Sequence, residues 1–244
     1  MVELENVSKS FARAKAVDGI SFEVAESERL VILGPSGSGK TTILRLIAGF
    51  ELPQEGNIYL GGKRVSSPEK IDIPPNKRGV GMVFQDLVLW PHLNIKGNIA
   101  FALGGRGFAS RDIDDRVKDI LNIVGLHEDI RKYPSQLSGG QQQRLALART
   151  LVNQPRILLL DEPLANLDPL LKEELTRVLL DIQARLRITL IYVTHSQAEA
   201  LNIAQRLIIL KQGVIEQIGT PEEIISSPRS DFVRLFLRRR EDCG

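Results

Sequence analysis

Residues 30–41 read LVILGPSGSGKT, and the residues that follow, KTTILRLIAG over 40–49, have helical spacing. An apolar run, a glycine-rich loop and a helix in immediate succession are the strand, phosphate-binding loop and helix of a P-loop. Gly34, Gly37 and Gly39 let the backbone curl round an anion without a Cβ in the way. Successive N–H groups and the helix N-terminus then face phosphate oxygens. Lys40 reaches the β- and γ-phosphates, and Thr41 offers its hydroxyl to Mg2+. The candidate phosphate-binding set runs through Gly34, Pro35, Ser36, Gly37, Ser38, Gly39, Lys40, Thr41 and Thr42. A glycine- and serine-rich surface turn is the alternative. It leaves unexplained why glycines, lysine, hydroxyl, strand and helix fall in register.

On the N-terminal side, VELENVS and GISFEVA alternate apolar and polar residues, as a half-exposed antiparallel sheet requires. On the C-terminal side the character changes. PHLNIKGNIAFAL, RDIDDRVKDILNIVGL and GGQQQRLALARTLV carry helical spacing and little β signal. RILLLDEP and ITLIYVTH then return as buried-strand runs, separated by the helical DPLLKEELTRVLLDIQARL, which is the rhythm of a parallel sheet. RLIILKQGVIEQIG reads as a closing hairpin turning at Gln212 and Gly213. The expected fold is an α/β P-loop domain with a mostly parallel sheet and an N-terminal antiparallel β subdomain. A helical subdomain, about 87–155, is inserted between core segments 1–86 and 156–244.

A chain of 244 residues, 43% hydrophobic, suits one such domain and is short for two independent ones. Thirty-two lysines and arginines against 30 acids give no broad basic field, which argues against a nucleic-acid binder. Arg234, Arg238, Arg239 and Arg240 form a basic tail, read first as a solvated helix end and second as a lipid-attracting patch. The single cysteine, Cys243, excludes an intrachain disulfide or a cysteine-rich zinc site and suits a reducing cytosol. No apolar stretch approaches the ~18 residues of a membrane span, and the N-terminus lacks a signal-peptide core.

ILLLDEP places Asp161 and Glu162 at the end of a buried strand, where open α/β sheets bind ligands. Asp161 is positioned to orient the Mg2+ shell. Glu162, aimed differently, can polarise an attacking water as general base. A helix cap is the alternative for the pair alone. At 137–141 stands LSGGQ, whose Ser138, Gly139 and Gly140 open a helix and offer a hydroxyl, N–H groups and a positive dipole end to an anion. A plain N-cap is the alternative, and it leaves the two glycines unexplained.

LSGGQ, the phosphate loop and the acidic strand together resemble the signature of the ATP-binding cassette family over essentially the whole chain. The resemblance implies an ATPase in which two chains sandwich two ATPs, each between one chain's Lys40 loop and the other's Ser138–Gln141 segment. It implies four further residues. Gln85, in GVGMVFQD, resembles the glutamine that contacts metal and water, and His195, in YVTHSQAEA, the histidine that bonds the γ-phosphate. Asp168, in LANLDP, resembles the aspartate at the dimer contact, although an N-cap before Pro169 is an equal local reading. Phe11 falls where the family stacks adenine on an aromatic ring, with core packing as its alternative.

Departures from the family pattern are Phe11 for the commoner tyrosine, Ala165 for serine and Ser196 for aspartate, and none removes a catalytic group. His92 and His127 form no metal-ligand pattern.

VGMVFQDLVLWPHLNIKGNIAFAL, RKYPSQLSGGQQQRLALAR and GVIEQIGTPEEI resemble the ATPase subunits of bacterial importers for sugars, polyamines, iron or other small polar ions. This implies a peripheral protein on the cytoplasmic side of the inner membrane. Its partners would be membrane permease subunits, a second ATPase chain in a homodimer, and an extracytoplasmic solute-binding protein, with no nucleic acid. Leu89, Trp90, Pro91 and Leu93 would receive a permease helix, or pack within the helical subdomain. Many such subunits carry a β-rich regulatory domain after the cassette. None follows here, so built-in substrate sensing of that type is not expected, unless the sequence is a piece that omits it. The other function weighed is a non-transport cassette ATPase of DNA repair or the ribosome, against which stand the missing coiled-coil insertion and the single cassette.

Overall fold

Two alternating strands, β1 (Val2–Phe11) and β2 (Ala14–Val24), pair antiparallel before β3 (Arg29–Leu33), apolar from Leu30 onward, leads through the phosphate loop into α1 (Lys40–Ala48). Three short strands follow, β4 (Glu55–Leu60), β5 (Lys63–Ser67) and β6 (Lys70–Ile71), and then β7 (Val80–Val83). Between β7 and β8 (Ile157–Asp161) lie α2 (Ile95–Ala102), α3 (Ser110–Ile123) and α4 (Gly139–Leu151). The remainder is α5 (Pro169–Leu186), β9 (Thr189–Thr194), α6 (Gln197–Ile203), β10 (Arg206–Lys211), β11 (Val214–Gly219), α7 (Pro221–Ser226) and α8 (Asp231–Arg238).

This computed structural model describes residues 1–12, 14–104, 109–165 and 167–238, apart from the side chain of Arg238. Arg239, Arg240 and Cys243 lie outside the described residues. Among the described residues no helix is long and apolar enough to cross a membrane.

The strands form two sheets, a five-stranded one ordered β2-β1-β4-β5-β6 and a six-stranded one ordered β11-β10-β3-β9-β8-β7. The second is parallel except for β11, which turns back from β10 through Gln212 and Gly213, both at positive φ (48° and 82°) as a two-residue hairpin demands. Its central strands are apolar on both faces because both faces are covered. Leu30, Ile32, Ile157, Leu159, Ile191 and Val193 pack toward α1 and the antiparallel sheet. Their neighbours Val31, Leu33, Leu158, Leu160, Leu190 and Tyr192 pack toward the other helices. That period of two fixes the register, since a one-residue slip would exchange the two cores. α1 lies between the sheets with Ile43, Leu44, Leu46 and Ile47 fully buried.

Arg78 knits the layers together. Its buried guanidinium donates to the carbonyls of Leu46 (3.3 Å) and Ile47 (2.9 Å) at the C-terminal end of α1, to Ile73 O (2.8 Å), to Val65 O (3.1 Å) and to Ser66 Oγ (2.7 Å). Among the described residues no carboxylate bonds it, and burial, opposed by the charge of Asp72, pushes its pKa down to about 10. The alternating and all-apolar strands are those that the sequence signals. β4 to β6 are not signalled, being short, polar and partly at a sheet edge.

Candidate active site at the carboxyl ends of the central strands

In the parallel register, Leu33 stands beside Thr194 and Asp161 beside Val193, so β3, β9 and β8 deliver their C-terminal loops to one place. From β3 comes the phosphate loop. Gly34 lies so close to β10 that a Cβ would sit 2.3 Å from Leu210 O, and Gly39, at φ 103°, would put one 2.0 Å from Ala16 O. Gly37 has a positive φ of 76° with open space beside it. Ser38 accepts from Gly213 N at 2.9 Å through its carbonyl, and Asp18 N donates to Gly213 O at 2.9 Å, so the β10–β11 turn buttresses the loop. The Ser38 hydroxyl is buried and unpartnered. Ala16, Asp18 and Gly213 carry no sequence signal for this role; their contacts exist only once the two sheets meet.

Gly39 begins α1 without a side-chain cap and with no acid in the first turn. The N-terminal amides of that helix are therefore left open to an anion. Ser138, Asp168, Ser196 and Thr220 instead cap α4, α5, α6 and α7 with their side chains.

Around this loop the ionisable groups converge. Lys40 Nζ donates to Gly34 O and Pro35 O at 2.9 Å each and lies 3.6 Å from Glu162 Oε1. Burial lowers its pKa, and the neighbouring Glu162 and Asp161 oppose that shift. Thr41 Oγ1 donates to Asp161 Oδ1 at 2.9 Å. Asp161 is raised above the ordinary carboxylate range, first by burial, with the Thr41 bond pulling the other way and Glu162 adding repulsion. His195 Nδ1 is 2.6 Å from Glu162 Oε2. Glu162 itself has φ 45°, a left-handed conformation that costs a non-glycine residue about 1 kcal/mol or more, held by Glu162 N donating to Val193 O at 3.0 Å.

The remaining candidates stand apart from this cluster; among the described residues no hydrogen bond or ion pair joins them to it. Thr42 is half-buried in the first turn of α1, and Ser36 is exposed on the loop. Gln85 is exposed two residues beyond Val83, whose ladder partner Leu160 directly precedes Asp161. Phe11 is 43% exposed with Lys9 Nζ 5.2 Å from its ring centre, so core packing is not its role. Asp168 caps α5, accepting from Leu171 N at 3.0 Å.

Ser138 and Gln141 cap α4 reciprocally, Gln141 N donating to Ser138 Oγ at 3.3 Å and Ser138 N to Gln141 Oε1 at 2.8 Å. Leucine side chains stand beside the two glycines that follow. A Cβ on Gly140 would meet Leu171 Cδ1 at 2.7 Å and one on Gly139 would meet Leu167 Cδ2 at 3.2 Å. Both contacts are with the terminal methyls of leucine side chains, which can rotate aside, so packing alone does not account for the two glycines.

Oxygen donors from Thr41 and Asp161 fit Mg2+, which prefers one or two protein ligands completed by phosphates and water. The described residues contain no cluster of three or more His, Cys, Asp or Glu able to hold a metal alone.

Residues 17–165 match the model of a family described as ABC transporter. The trehalose/maltose import ATP-binding protein MalK of Thermococcus litoralis is 44% identical over 237 residues, 97% of this chain and 64% of that protein. The spermidine/putrescine import ATP-binding protein PotA of Thermotoga maritima is 45% identical over 236 residues, 97% of this chain and 63% of that protein. The chain thus spans less than two thirds of the length of these relatives. A dimeric structure of the ATP-binding cassette MJ0796 in a post-hydrolysis state with ADP and Pi superposes with a TM-score of 0.79 at 33% identity, covering 90% of this chain and 98% of that one. With more than half of its length matching the family model and its fold shared with solved cassettes, the chain belongs to the ABC transporter family.

Proposed function

We propose that the chain is the ATP-binding and hydrolysing subunit of an importer for a small polar solute. In this reading the phosphate loop, Gly34 to Thr42, holds the ATP phosphates on its N–H groups and on the uncapped start of α1. Lys40 trades its two carbonyl partners for phosphate oxygens. Thr41, Asp161 and Gln85 hold Mg2+, which when bound offsets phosphate charge. Glu162 accepts the proton of the attacking water. His195, bonded to Glu162, steadies the same γ-phosphate, and Phe11 stacks on adenine. The observation that carries this reading is the convergence of Lys40, Glu162 and His195 on one another beside the Thr41–Asp161 pair.

A second copy of the chain completes each site with its own Ser138, Gly139, Gly140, Gln141 and Asp168. The dimeric assembly of the MJ0796 cassette supports that arrangement. Residues 87–155, carrying α2 to α4, serve as a helical subdomain that meets a membrane permease. Their surface suits a docked helix: Val88 and Phe101 are 55% and 60% exposed, and Trp90 packs with Phe101 at 4.4 Å between ring centres. The import names of the relatives favour a sugar or polyamine as cargo. A solute-binding protein as upstream partner and a peripheral position at the cytoplasmic membrane face complete the reading.

The test is steady-state ATPase activity of the purified chain against its own concentration, with Glu162→Gln as control. Specific activity should rise with protein concentration and vanish in the variant. Activity independent of concentration, in a chain that stays monomeric by size when Glu162→Gln is saturated with ATP, would refute the sandwich.

A further inference from the structure

Glu199 is a carboxylate without an assigned task, 7% exposed beneath the loop that carries His195. A buried carboxylate is costly unless paired. Here Oε2 accepts from Tyr192 OH at 2.9 Å and from Thr194 Oγ1 at 2.8 Å, and Oε1 lies 3.3 Å from Lys172 Nζ. Because a carboxylate only accepts, the Thr194 hydroxyl hydrogen points at Glu199 and its lone pairs are turned toward Ser196 N, which donates to them at 2.9 Å. Ser196 Oγ in turn accepts from Glu199 N at 3.4 Å. Thr194 and Ser196 flank His195, so Glu199 pins the backbone on both sides of that residue. The His195 side chain is 52% exposed and among the described residues its one polar partner is Glu162, so its ring stands where this backbone puts it.

On its other side Glu199 reaches α5. Lys172 sits in the first turn of that helix, its N–H donating to the carbonyl of the N-cap, Asp168, at 3.0 Å. Lys172 and Glu199 both line an open cleft of about 470 Å³ between α5 and α6, so their ion pair bridges elements that are not packed tightly there.

We propose that Glu199 is a positioning residue for His195, and that Lys172 makes this position depend on where the first turn of α5 stands. The kinetic side rests on the role given to His195 above. A shift of Asp168 and its helix, as a second chain docks, would be felt at the Glu162–His195 contact through Lys172, Glu199 and Thr194.

Glu199→Gln tests the link, since the amide oxygen can still accept from both hydroxyls while its NH2 faces the Lys172 ammonium. We expect kcat to fall about tenfold, the scale of a small misplacement, with KM for ATP within about twofold. The His195 ring signal should move in the NMR spectrum of the nucleotide-free protein. That signal is one of three from histidines and is identified by its loss in His195→Ala. Lys172→Met should act in the same direction more weakly. The double variant should recover toward Lys172→Met alone, because the opposed donors are gone. An unchanged His195 signal in Glu199→Gln, or kcat and KM both at wild-type values, overturns the proposal. Should that variant fail to fold, Lys172→Met decides by the same signal. If His195→Ala hydrolyses ATP normally, the role of His195 falls, and the ring signal alone judges the positioning.

Discussion

The carboxylate of Glu162 is shared between His195, whose Nδ1 lies 2.6 Å from one oxygen, and Lys40, whose Nζ lies 3.6 Å from the other. An ionised carboxylate only accepts, so Nδ1 carries the proton and the histidine ring is oriented by the residue proposed as base. Glu162→Gln should therefore keep nucleotide affinity, which rests on the loop, and lower turnover by ~10²–10⁴. Equilibrium binding of labelled ATP beside single-turnover hydrolysis separates the two. Near-normal turnover would remove Glu162 from the role.

Asp161 works against the stability of the fold that holds it. Burial raises its folded pKa above 3.8, so between 3.8 and the raised value the folded state binds more protons than the unfolded one. Stability therefore falls as pH rises through that window, and the full cost is present at neutral pH. Asp161→Asn should therefore raise Tm at pH 7 in chelator. The gain should shrink below pH 3.8, and metal-dependent hydrolysis should be lost. A gain that grows on acidification would contradict the account.

Two glycines of one loop should respond differently to alanine. Gly39→Ala drives a Cβ to 2.0 Å from the Ala16 carbonyl at φ 103°, so the loop or β2 must move. Gly37→Ala meets nothing within 4 Å and carries only the cost of φ 76°, about 1–2 kcal/mol. Chemical denaturation should find Gly39→Ala the more destabilised by several-fold and unable to bind nucleotide. Equal losses in the two variants would contradict the close approach.

Arg78→Met removes five donor bonds from the junction of α1 with the antiparallel sheet, leaving buried carbonyls unmatched. The expected loss is at least about 3 kcal/mol, since each orphaned group costs ~1–3 kcal/mol. Arg78→Lys should recover little of it, because a single ammonium cannot span the same acceptors. A denaturation midpoint near wild type for either variant would argue against the network.

The parts of this molecule legible in the sequence are those whose physics is local. The loop from Gly34 to Thr41 and the apolar runs of β3, β8, β9 and β10 declare themselves by composition and period, and the turn at Gln212–Gly213 by its residues. What the sequence hides depends on distant segments meeting. Neither the approach of Ala16 to Gly39 nor the five-bond cap made by Arg78 has a pattern to read. The glycines after Ser138 are an intermediate case: the motif is legible in the sequence, while Leu167 and Leu171 come to stand beside it only in the fold. Likewise β6, two residues long, owes its existence to the strand beside it.

The bond from Gly213 N to Ser38 O spans 175 residues of chain, and Leu210 walls the loop at Gly34 from the same hairpin. During synthesis a ribosome-bound chain that ends before β10 already contains all of GPSGSGKT, yet lacks the surface that shapes it. Nucleotide capture by a growing chain should thus begin only when the last strands emerge. ATP would then act as a late inspector of the finished domain, stabilising only chains that have completed their sheet.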